Sequence, residues 1–197
     1  MSNKTSCLLV TDGWLHLYNR GVDRGSIFFK AREYEYFLKI VAETLPDSNL
    51  NLLLHCLLPN HFHFVVQQSK IHAVSHYMKL VCETYARFIN GSRLRSGHLF
   101  QGRYKVKQVE DPGSLLRLSR YIHYNPVVAG LVSSVLEWKY SSLNAYLDPE
   151  APRFVAVETI LRLVGGTDTY LRFLREYDPC EPESVWQFIL NGNKSVM

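Results

Sequence analysis

The stretch that most constrains this chain is Leu57-Leu58-Pro59-Asn60-His61-Phe62-His63-Phe64-Val65-Val66. Read with the two-residue period of a β-strand, Phe62, Phe64 and Val66 fall on one face, and His61, His63 and Val65 on the other. The apolar face requires a core. On the opposite face two imidazoles stand side by side, roughly 7 Å apart at their Cα atoms, so both rings can converge on one cation. The plainer reading is a pair of partly buried histidines satisfied by backbone carbonyls. A short motif needs its context before the first reading outranks the second.

The surrounding pattern gives a fold. Trp14 to Asn19 alternates and ends at Arg20-Gly21, a first strand and turn. Ala31 to Leu45 reads as a helix stopped by Pro46, with Tyr36, Phe37, Ile40 and Val41 as its apolar stripe. A second strand runs from about Asn51 to Leu58, and Pro59-Asn60 turns it into the histidine strand as a hairpin. Lys70 to Ile89 reads as a long helix ended by Asn90-Gly91, and Arg103 to Val109 as a fourth strand. Asp111-Pro112 is a strong helix start, Asp as N-cap and Pro at the first helical position. That helix buries Leu115, Leu118 and Ile122 and is expected to stop at Asn125-Pro126, because a residue before proline avoids the helical region. The order is the split βαβ pattern (βαββαβ) of an α+β, ferredoxin-like antiparallel sheet with the third strand central. Two helices would cover one face, and the helix from Pro112 would lie across the histidine face.

Beyond Gly130 the pattern weakens. Trp138, Tyr140 and Tyr146 imply a packed aromatic segment. Helical spacing returns at Val157, Ile160, Leu161 and Val164, again at Tyr170, Phe173 and Leu174, and at Val185, Trp186 and Ile189. The expected division is a main domain over 1–149 and a small helical appendage over 150–197.

Composition excludes more than it assigns. At 197 residues the chain can bury one core. Cys7, Cys56, Cys82 and Cys180 are too scattered for a zinc knuckle or redox pair. No signal peptide and no membrane span is expected, so the default location is the cytoplasm. A net charge of +4 says little by itself. Its distribution says more: no acidic residue lies between Glu83 and Glu110, while Arg87, Arg93, Arg95, Arg103, Lys105 and Lys107 do. Such a run is either a solvated face or a phosphate track.

On the helix from Pro112, Tyr121 and Asn125 lie one turn apart on nearly the same side. Tyrosines at such a boundary usually pack with the hydroxyl in water. Opposite two metal-spaced histidines, this one acquires a chemical reading. A phenol oxygen can attack a phosphodiester and form a covalent phosphotyrosine, while a cation polarises a non-bridging oxygen. The ester conserves the energy of the broken bond, so rejoining needs no nucleotide cofactor. Asn125 can give an amide oxygen as a third ligand, and an amide oxygen with a phosphate substrate moves the balance from Zn toward Mg or Mn.

His61-Phe62-His63, the segment Tyr121-Ile122-His123-Tyr124-Asn125-Pro126 through Val132, Gly97-His98-Leu99-Phe100-Gln101-Gly102-Arg103-Tyr104-Lys105 and Asn19-Arg20-Gly21 together resemble a single-tyrosine HUH transposase. The resemblance is to the REP-associated tyrosine transposase branch and spans roughly residues 14 to 146. It implies that His61 and His63 are metal ligands, Asn125 the third ligand and Tyr121 the nucleophile. It also implies cleavage of single-stranded DNA beside a hairpin, leaving a 5′-phosphotyrosine and a free 3′-OH, with Mg or Mn and no ATP. Val128 stands where the branch usually has a basic residue, and Tyr140-Ser141-Ser142 replaces Trp-Ser-Ser.

Tyr124 and Tyr18 are rival nucleophiles by residue type. Arg20, Arg93, Arg95, Arg103, Lys105 and Lys107 are the candidate DNA-binding residues, with Phe100 or Tyr104 to stack on an unpaired base. The chain would act as a monomer or homodimer. The alternative from another class is a hairpin-binding regulator that retains the fold without catalysis.

Overall fold

The computed structural model describes residues 10–151 and 154–176. Four strands, β1 (Trp14–Arg20), β2 (Leu50–Leu58), β3 (His61–Gln68) and β4 (Lys105–Val109), form one antiparallel sheet in the order β2-β3-β1-β4. The two central strands are therefore β3 and β1, the arrangement a split βαβ chain requires. Six α-helices accompany them: α1 (Ala31–Thr44), α2 (Ala73–Ser92), α3 (Pro112–Val128), α4 (Leu143–Leu147), α5 (Glu158–Val164) and α6 (Thr167–Arg175). Among the described residues, no helix is long and apolar enough to cross a membrane.

The register sorts the side chains. Tyr18 pairs with His63 and Arg20 with His61, while on the other side of β1 His16 pairs with Lys107 and Tyr18 with Lys105. Directly opposed residues of an antiparallel pair share a face. His16, Tyr18, Arg20, His61, His63, Lys105 and Lys107 are thereby gathered on one side. Leu15, Leu17, Phe62, Phe64 and Val66 occupy the other side and are wholly buried. There α1 and α2 cover them: the Phe37 ring lies 5.2 Å from Phe62, 6.0 Å from Phe64 and 4.8 Å from Tyr85. Each such ring contributes about 1.5–3 kcal/mol through burial.

The start of α1 depends on Glu33, a fully buried carboxylate that accepts from the backbone N–H groups of Phe29 and Lys30 and from Arg93 at 2.7 Å. The long helix does not end at Asn90-Gly91; it runs to Ser92 and breaks where Leu94 takes a left-handed φ of 47°. On the other face α3 begins as its sequence predicts, with Asp111 accepting from Ser114 N–H at 2.9 Å.

The expected stop at Asn125-Pro126 is wrong. Pro126 lies inside α3, which continues to Val128 and ends at Ala129-Gly130, with Gly130 at φ 67°. Pre-proline avoidance is a local preference, and here Asn125 and Pro126 are both buried, so packing outweighs it. Glycine, free to adopt the left-handed conformation, provides the stop instead.

The aromatic segment covers the outer edge of β2. Leu57 N–H donates to Tyr140 O at 3.0 Å, Ser142 N–H to His55 O at 2.8 Å, and the Trp138 indole to Leu57 O at 2.9 Å. Helices α5 and α6 follow the expected spacing and pack beyond α3, with Ile160 and Tyr170 fully buried. The helix expected around Val185, Trp186 and Ile189 lies outside the described residues, as do Cys7 and Cys180. Cys56 and Cys82 are free thiols.

Candidate active site

Strand β3 places the two imidazoles as its periodicity predicts: the His61 and His63 ring centroids are 5.0 Å apart, nearly perpendicular. Helix α3 lies across them. The Tyr121 ring meets His63 edge-on at 5.6 Å, and the side-chain amide of Asn125 interacts with both the His61 ring and the Tyr121 hydroxyl. The four residues singled out in the sequence therefore converge within one chain. Of the rival tyrosines, Tyr18 lies on the same face, its ring 6.0 Å from His63.

Each imidazole is backed on its Nδ1 side. His61 Nδ1 lies 2.6 Å from Asn60 Oδ1, and Asn60 is oriented by donating its Nδ2 to Arg24 O at 3.2 Å. An amide oxygen only accepts, so His61 carries hydrogen on Nδ1 and leaves a lone pair on Nε2. His63 Nδ1 lies 3.0 Å from Nε2 of His16, a buried residue of β1. Sequence reasoning missed His16. Its only signal is that it alternates in phase with Tyr18 and Arg20, and nothing local says that β1 lies beside β3.

Burial and the neighbouring Arg20 guanidinium hold His61 down to about 4, partly offset by Asn125. Burial, with His61 and His16 nearby, holds His63 well below its ordinary value. The pair is thus neutral at physiological pH, the form that ligates metals. Burial raises the Tyr121 phenol above its usual value, with Asn125 pulling in the opposite direction.

The residues fit a divalent cation. Among the described residues, Nε2 of His63 is buried without a hydrogen-bond partner. No group of three His, Cys, Asp or Glu occurs there; the Asn125 amide beside the His61 ring carries an oxygen that would serve as a third donor. Two imidazole nitrogens and one amide oxygen form a mixed set compatible with Mn or Mg.

A cavity of about 430 Å³ opens beside the pair, lined by Tyr18, Asn19, Arg20, Arg24, Asn60, His61, His63, Gln101, Gly102, Arg103 and Lys105. Arg20, Arg103 and Lys105 thus face the site, with Arg20 held by the Gln101 side chain. Lys107 lies opposite His16 on the same face. Arg95 donates to His98 O at 3.4 Å outside this cavity. Arg93 is occupied by Glu33 and stacks over the Phe29 ring at 3.7 Å. Phe100 is buried against Phe62, so its ring is part of the core and is not displayed to a base. Tyr104 is half-buried and donates its hydroxyl to Ser75.

An antiparallel sheet carrying a histidine pair, crossed by a tyrosine-bearing helix, defines a class of fold and site. The family model "Transposase IS200 like" matches residues 10–125, and the chain belongs to this family. Its fold is similar to that of a REP-associated tyrosine transposase solved with a REP hairpin, at TM-score 0.60 and 15% identity, covering 75% of this chain and 87% of the other. A structure assigned to a transposase of Deinococcus radiodurans R1 aligns at TM-score 0.43 and 17% identity, over 57% and 90%. No curated protein sequence matches.

Proposed function

We propose that this transposase nicks single-stranded DNA beside a hairpin and transfers the cut strand through a 5′-phosphotyrosine on Tyr121. The observation that carries the reading is the convergence of Tyr121 and Asn125, one turn apart on α3, with the paired imidazoles of β3. His61, His63 and Asn125 would hold Mg or Mn. A bound cation supplies Lewis-acid polarisation of a non-bridging phosphate oxygen.

The chain's own residues do the rest. Arg20, Arg103 and Lys105 hold the phosphate backbone along the cavity. Asn125 orients the phenol oxygen. The Tyr121 oxygen forms a bond to phosphorus as the P–O3′ bond breaks, and the phenol proton passes, through water, to the departing 3′-oxygen. A second 3′-OH reverses these steps, so the joined product regenerates the phenol with no nucleotide cofactor. The relative of like fold is bound to a REP hairpin, which supports a hairpin as the DNA partner here.

One observation favours a second nucleophile: Tyr18 lines the cavity, whereas Tyr121 is only 6% exposed. The test is incubation of the full chain with labelled hairpin oligonucleotides and Mn, scoring the covalent adduct. Tyr121→Phe is expected to abolish the adduct and leave hairpin binding intact, while Tyr18→Phe retains it. The reverse pattern would reassign the nucleophile. Hairpin binding with no adduct in the unmodified protein would identify a regulator instead.

A further inference from the structure

His16 and His63 come from the two central strands, one residue pair apart on the same face, because Tyr18 pairs with His63 and His16 is two residues from Tyr18. Their rings stack at 5.2 Å, and a single hydrogen bond joins Nε2 of His16 to Nδ1 of His63 at 3.0 Å. Which ring supplies the hydrogen decides what His63 can do. If His16 donates, Nδ1 of His63 accepts, and the neutral ring must carry its own hydrogen on Nε2, where it blocks a cation. If His63 donates, Nε2 keeps its lone pair. That Nε2 atom is the buried nitrogen with no partner among the described residues. His61 provides the parallel: Asn60 Oδ1 occupies the same position behind its Nδ1 and can only accept.

We propose that His16 is a positioning residue which, by accepting the Nδ1 hydrogen of His63, holds that ring in the tautomer and orientation that present a lone pair to a divalent cation. The inference rests on reading His61, His63 and Asn125 as the cation's ligands and adds to it the group that prepares one of them. It follows the general rule that a ligating imidazole is fixed through its second nitrogen. It also explains a buried imidazole on β1 that does not line the cavity. Packing alone would need only a flat ring there. Nitrogen is needed only if the hydrogen bond matters.

The test uses the full chain and Mn alone, with binding read by the electron paramagnetic resonance signal of free Mn. His16→Phe keeps a flat ring and removes the acceptor; it is expected to weaken Mn binding about 10- to 100-fold. His16→Gln restores an acceptor oxygen and is expected to recover most of that loss. Hairpin binding in chelator should be unchanged in both. A second, metal-free readout is the long-range nitrogen-15 spectrum of the unsubstituted protein, which should show His63 protonated on Nδ1, with His63→Ala identifying its signals. Mn binding by His16→Phe equal to that of the unsubstituted chain, or a His63 signal protonated on Nε2, overturns the proposal. If His63→Ala also binds Mn normally, the ligand reading itself fails. If His63→Ala loses Mn and His16→Phe does not, only the role of His16 falls.

Discussion

Two buried imidazoles, His63 on β3 and His123 on α3, look alike by residue type and burial but are built differently. His123 has a partner on each nitrogen, Ser142 Oγ at 2.9 Å from Nε2 and the Tyr170 hydroxyl at 2.9 Å from Nδ1. Among the described residues, His63 has His16 on one nitrogen and no hydrogen-bond partner on the other, in company with His61 and Tyr121. The closed pair of bonds is a fastening between α3, the segment on the β2 edge and α6. The open one is, on the proposed reading, the position a cation would take. An orphan nitrogen by itself teaches less: among the described residues His55 Nδ1 also lacks a partner, yet its ring stacks on Phe154 at 5.5 Å.

The largest test of this contrast is a pair of alanines. His63→Ala is expected to eliminate Mn-dependent cleavage even per folded molecule, and to cost less stability than His123→Ala because it strands one hydrogen-bond partner and not two. His123→Ala should do the opposite, costing about 3 kcal/mol in chemical denaturation from the cavity and two stranded partners. Cleavage per folded molecule should survive. Comparable loss of cleavage in both would break the distinction.

Next in size, Arg93→Ala is expected to destabilise the fold by about 2 kcal/mol, because it removes the ionic partner of buried Glu33 while two backbone donors remain. Hairpin affinity should change little, since Arg93 is already engaged. A large affinity loss with unaltered stability would return it to the DNA surface.

His55 yields a pH test. Burial lowers its pKa to about 3, so between that value and the ordinary value near ~6.5 the unfolded chain binds the proton first. Its contribution to stability is complete above about pH 6.5 and declines as the pH falls toward 3. The melting temperature should therefore drop between pH 7 and 5, and less steeply in His55→Gln. Smallest of all, Lys105→Ala should reduce the salt dependence of hairpin binding by about one unit of slope. An unchanged slope would mean that the basic strand is only a solvated face.

The strand order, the histidine pair and the tyrosine helix were legible because each is written in local periodicity or capping. His61 and His63 alternate with phenylalanines, and Asp111-Pro112 announces α3. What escaped depended on contacts distant in sequence. The role of His16 needs the β1–β3 register, and the engagement of Arg93 needs Glu33, sixty residues earlier. Phe100 sits in a basic stretch and reads as a base-stacking ring until its burial against Phe62 is known. Pro126 misled for the opposite reason: a real local preference was overruled by the packing of the helix that carries it.

Two residues of a helix span about 200° of rotation, so His123 leaves α3 on the flank opposite Tyr121 and Asn125. The grip of Tyr170 on His123 comes from α6, far past residue 125 where the family match ends. One of the bonds that fix this flank of the helix thus comes from a part of the chain that holds none of the proposed chemistry. A protein shortened ahead of Thr167 would keep every reactive side chain and lose one of the two bonds that fasten this flank of the helix. Substitutions in that tail would then register as a looser fold, with each molecule that does fold still cutting.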